Sequence, residues 1–118
     1  MEFKPLNRRK LHELILKDLF EKRKCEIKIK LNTQHRHHGI DYHYDFFVGA
    51  EYLGKDGAIA EHNEPEEDPL RLKIIDVEEF LKEKDVPYSI KKHYYGRENE
   101  SGEAVIDVKV PKKERALK

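Results

Sequence analysis

The sequence predicts an α+β fold: a single antiparallel sheet of four to five strands with two helices packed on one face, in the order α-β-β-(β)-α-β-β. Three observations carry this. Two segments repeat apolar residues every three or four positions, Leu11-Leu14-Ile15-Leu19 and Val77-Phe80-Leu81, as the buried stripe of a helix does. Three others, Glu26–Asn32, the stretch from Asp41, and Ala104–Val110, alternate apolar and polar residues, the period of a strand with one buried face. The links between strands are too short for parallel crossovers, which need a dozen or more residues, so neighbouring strands run antiparallel.

The first helix is expected to start at an Asn7 cap and run to about Lys24, with Leu16 and Phe20 widening its apolar stripe. The strand Glu26–Asn32 places Ile27, Ile29 and Leu31 on one face and Lys28, Lys30 and Asn32 on the other. A second strand is expected from about Asp41 to Leu53, with Tyr42, Tyr44, Phe46 and Val48 sharing a face opposite His43, Asp45 and Phe47. Gly54-Lys55-Asp56-Gly57 reads as a turn, and Ala58-Ile59-Ala60 as a short returning strand. Residues 61–69 form an acidic loop, the expected flexible segment. Leu70 to Ile75 reads as a strand or an approach to the second helix, which Asp76 caps with Glu79 three positions on and which ends near Asp85. From Val86 the chain alternates again through Tyr88, Ile90 and Tyr94. A polar loop at 96–102 leads to the closing strand, which Pro111 stops, leaving 111–118 as a frayed basic tail.

At 118 residues the chain is expected to be one domain, residues 1–118, large enough to bury a core without disulfides. Charged residues make up 41%, well above the ~25% of an average globular chain. Clear apolar periodicity and eleven Phe and Tyr residues argue for a folded domain over a disordered chain. Abundant Lys and Glu, with one Met, one Cys and no Trp, give a thermophile-like composition. The single Cys25 excludes an intramolecular disulfide, and its place between a helix and a strand suits a small buried side chain rather than a nucleophile. No apolar run approaches the ~18 residues of a membrane span, and the N-terminus has no apolar leader, so a cytoplasmic protein without membrane contact is expected. Net charge is zero but uneven: +6 over residues 1–38, −8 over 39–68 and +2 over 69–118. Such asymmetry is compatible with an anionic partner.

Two constellations carry chemistry. Lys91, Lys92, Tyr95 and Arg97 follow one another near the end of a strand, and Lys28 and Lys30 lie on the exposed face of the first strand. Cations along a phosphate path beside aromatic rings, here Tyr95 and Phe47, are how many single-strand binders work. The leading expectation is a small intracellular nucleic-acid-associated accessory domain that binds single-stranded nucleic acid through an uncovered basic and aromatic sheet face. The second constellation is histidine: four of seven fall within residues 35–43. If the chain reverses at Gly39, His43 returns toward His35 and His37, and three imidazoles would suit Zn or another divalent metal, structural or hydrolytic. The spacing matches no ordered helical motif such as His-Glu-x-x-His. A third expectation is a homodimer formed through the bare sheet face. No phosphate-binding glycine loop and no serine in a nucleophile turn accompanies these features.

Overall fold

The computed structural model describes residues 4–37, 39–61, 67–95 and 100–111. Within them the chain forms α1 (Arg8–Lys22), β1 (Lys24–Arg36), β2 (Gly39–Val48), β3 (Glu51–Glu61), α2 (Arg71–Glu83), β4 (Tyr88–Tyr95) and β5 (Ser101–Lys109). The five strands make one sheet in the order β3-β2-β1-β5-β4, antiparallel throughout. The expected fold class is therefore the observed one. Of the expected acidic loop, residues 62–66 lie outside the described residues, as do 112–118 of the basic tail.

Register and alternation divide the sheet into two faces. Ile27, Ile29 and Leu31 of β1 stand beside Val48, Phe46 and Tyr44 of β2, and beside Ile106, Ala104 and Gly102 of β5. Apart from Gly102, these side chains join Leu11 and Ile15 of α1, and Ile74, Val77, Phe80 and Leu81 of α2, in one buried cluster. Burying a Leu, Ile or Phe side chain is worth about 1.5–3 kcal/mol each, so this face fixes the fold. Both helices reach β3: the Asp56 carboxylate receives Arg8 of α1 at 2.8 Å and Lys73 of α2 at 3.1 Å. His12 of α1 stacks on Phe80 of α2 with ring centroids 4.0 Å apart.

Asn7 caps α1 as expected, its side-chain oxygen accepting from the Lys10 N–H at 3.0 Å, and Arg23 closes the helix in the left-handed region. Three expectations need correction. Leu16 and Phe20 do not widen the buried stripe: they are 41% and 87% exposed, because the stripe through Leu11 and Ile15 already faces the sheet. Helix α2 begins at Arg71 instead of at an Asp76 cap, because Leu70, Ile74, Val77 and Leu81 recur at helical spacing and all are buried. The turn after β2 is Gly49-Ala50, with Gly49 at φ 59°, and Gly54 to Gly57 lie inside β3. An irregularity between Phe46 and Phe47 absorbs Leu53, so Tyr52 pairs with Phe47 and Gly54 with Phe46. Gly54 serves the approach of the N-terminal segment: Leu6 N–H bonds to the Lys55 carbonyl at 2.9 Å, and Lys55 N–H to the Lys4 carbonyl at 2.7 Å.

The chain reaches α2 through Asp68, whose carboxylate accepts from Lys92 Nζ and from the Tyr94 hydroxyl on β4. Tyr94 in turn accepts from the Leu70 N–H at 2.9 Å. Partial burial opposes ionisation of Asp68, but the hydrogen bonds from Lys92 and Tyr94 outweigh it and hold its carboxyl below the ordinary range. The contribution of this anchor is then complete above the unfolded carboxylate value of about 4 and disappears as pH falls through the lower folded value. Thermal melting between pH 7 and pH 3 is expected to show Tm falling in the wild type and falling less in Asp68→Asn. Parallel curves for the two proteins would contradict this role.

Candidate nucleic-acid interface

The face of the sheet opposite the helices has no described element packed on it. The pairings place its side chains in rows that cross the strands. One row runs Tyr52 (β3), Phe47 (β2), Lys28 (β1), Val105 (β5) and Lys91 (β4). The adjacent row runs Lys55, Asp45, Lys30, Glu103 and His93 in the same strand order. Beyond it, Ser101 pairs with Tyr95 at the edge. Residues scattered from position 28 to position 95 are thus neighbours, which only the register reveals.

Aromatic rings pair at the two sides of this face. Phe47 and Tyr52 meet at 5.2 Å between centroids, tilted by 49°, and His93 meets Tyr95 edge-on at 4.8 Å. Tyr95 is 47% exposed. From β2 to β4 is three strand spacings, about 14 Å, and the ammonium groups of Lys28 and Lys30 lie between. Lys30 sits over the Phe47 ring, its Nζ 5.5 Å from the centroid.

Electrostatics here are partly self-compensated. Lys55 binds Asp45 at 2.9 Å and Lys28 approaches Glu103 at 3.7 Å. Tyr52 donates to Asp45 at 2.7 Å, and burial together with that bond pushes its hydroxyl up to about 12, so it stays protonated. Among the described residues, neither Lys30 nor Lys91 has a carboxylate within ion-pair distance. Lys24 and Lys109, paired at the far end of β1 and β5, are likewise exposed on this face without a carboxylate partner among the described residues, and Lys28, 3.7 Å from Glu103, stands beyond hydrogen-bond distance of it.

Of the residues expected to bind, Lys28, Lys30, Lys91 and Tyr95 share this face. Lys92 does not: alternation turns it to the helix side, where it serves Asp68. Arg97 lies outside the described residues. His93 and Tyr52 join the face: strand parity sets His93 two residues from both Lys91 and Tyr95, and the irregularity between Phe46 and Phe47 brings Tyr52 opposite Phe47.

The histidines are dispersed. Arg36 pairs with Gly39, so the reversal comes before Gly39, and His43 falls opposite Asn32. His35 stands on the helix-side parity and meets Glu100 at 3.1 Å, whereas His43 stands on the other face. His37 is exposed in the turn, and His38 lies outside the described residues. Among the described residues no three His, Cys, Asp or Glu side chains converge on a metal-sized site. Cys25 is buried, and burial pushes its thiol up to about 12, the state of a packing residue rather than a nucleophile. No helix among the described residues is long and apolar enough to cross a membrane.

Comparison with protein-family models, curated proteins and solved structures finds no match for the chain. The functional reading therefore rests on the geometry of the uncovered face.

Proposed function

We propose that this chain binds single-stranded nucleic acid across its uncovered sheet face, as a small nucleic-acid-associated domain. One observation carries the reading: two aromatic pairs, the half-buried Phe47–Tyr52 and the exposed His93–Tyr95, lie on either side of Lys28 and Lys30, with Lys91 beside the second pair. Unpaired bases stack on such rings for about 1–3 kcal/mol each, largely irrespective of sequence. The lysines between the rings neutralise the connecting phosphates. A five-stranded face is wider than the two-stranded ribbon that an undeformed major groove admits, which favours unpaired strands as the ligand class.

The test is fluorescence anisotropy of labelled single-stranded DNA and RNA, each against a duplex of the same sequence, over a range of salt. Saturable binding that weakens with salt and favours single strands is expected. Absence of binding at low salt, or preference for the duplex, would refute the reading.

A further inference from the structure

We propose that β3 is a self-association edge, through which two copies of the chain pair antiparallel over residues 56–60 about a two-fold axis at Ala58. Among the described residues the edge is covered only in its first half. Lys55 and Leu53 direct their backbone groups away from β2 and bond there to Lys4, Leu6 and Asn7. Alternation makes Gly57 and Ile59 the next residues whose N–H and C=O point outward. The Gly57 N–H is held by Asp56 Oδ1 at 2.9 Å. Among the described residues nothing pairs with the Gly57 carbonyl or with either backbone group of Ile59. Such a row is a template for another strand.

The side chains say which strand fits. Ile59 is 60% exposed on the same face as Gly57, two residues away. In an antiparallel pairing centred on Ala58, each Ile59 lies opposite the Gly57 of the other copy. There the missing side chain opens onto a wider depression of ≈ 600 Å³ whose lining includes Asp41, His43, Gly57 and Ile59. The strand is thus its own complement, as a two-fold interface requires. Each Ile59 N–H reaches the other copy's Gly57 carbonyl with no internal bond disturbed. Five paired residues cover far less than the ~1,000 Å² of a stable interface, so the dimer is weak and concentration-dependent.

Sedimentation velocity of the full chain from about 10 μM to about 1 mM is expected to show reversible passage from monomer toward dimer. Gly57→Ile and Ile59→Gly should each weaken association about tenfold or more, since the first fills the socket and the second removes the knob. A Cβ at Gly57 meets nothing nearer than the Tyr42 carbonyl at 3.5 Å, so the single chain tolerates the first change. The double variant Gly57→Ile with Ile59→Gly exchanges knob and socket and should restore association. Ala58→Cys, beside the axis with Cα atoms about 4.5 Å apart, should form a disulfide-linked dimer on mild oxidation. A monomer at every concentration, a double variant no better than the single ones, or an Ala58→Cys variant that resists cross-linking would each overturn the proposal.

Discussion

Replacing Gly54 by alanine is expected to cost about 3 kcal/mol of stability, a fall of roughly 10 °C in Tm. Gly54 has φ +120°, a conformation L side chains rarely adopt, and a Cβ there would stand 2.4 Å from the Pro5 carbonyl oxygen and 2.8 Å from Leu6 Cα. Both obstacles are backbone atoms, so no side chain can swing aside. Relief requires moving the Lys4–Asn7 segment, which is hydrogen-bonded along β3 and ends in the Asn7 cap of α1. Loss of such a cap alone costs about 0.5–2 kcal/mol. Gly57→Ala in the same strand is the control: its Cβ meets the Tyr42 carbonyl oxygen at an ordinary 3.5 Å, and a small gain from reduced unfolded-state freedom is expected. Equal losses for the two variants, measured by thermal or urea unfolding, would show that the approach of Pro5 does not constrain position 54.

The second large effect concerns binding. Lys28→Gln, Lys30→Gln and Lys91→Gln together are expected to weaken single-strand binding about 100-fold at about 0.1 M salt, and to lower the salt slope by about 2. Both figures follow from about 0.7 counterions released per single-strand phosphate contact, over three lost contacts. The loss should be uniform across sequences, because phosphates carry no base information. Stability should barely change, since the Lys28–Glu103 pair is partly exposed and such pairs contribute about 0–1 kcal/mol. Lys92→Gln reverses the pattern: it loosens the Asp68 anchor on the other side of the sheet and leaves affinity intact. An unchanged salt slope in the triple variant would remove these lysines from the phosphate path.

What could be read from the sequence follows from periodicity. Strict alternation in Glu26–Asn32 and Ala104–Val108 assigned the buried and outward residues of β1 and β5 correctly, because one buried face imposes a period of two, whereas Val110 lies past the end of β5 and is only half-buried. The Asn7 cap was legible for the same local reason. Features that depend on distant segments were not. Gly54 and Gly57 resemble a turn in isolation, and only the passage of Pro5 explains a glycine at 54. The first turn of α2 looked strand-like because β-branched Ile74 and Ile75 suit either state, until burial of Leu70 and Ile74 decides. In the candidate site, four of the six expected binding residues share a face; Lys92 was grouped by sequence adjacency, which in a strand puts neighbours on opposite sides. Dispersal of the histidines has a similar origin, since a reversal that comes before Gly39 sets which residue His43 opposes.

The central claim is a place as well as a ligand, and amide chemical-shift mapping of the isotopically labelled chain during titration with a short single-stranded oligonucleotide tests both at once. Shifts are expected to concentrate at Lys28, Lys30, Phe47, Lys91, His93 and Tyr95, with α1 and α2 little affected. Shifts gathered on the helices, or no shifts at saturating oligonucleotide in low salt, would contradict the account.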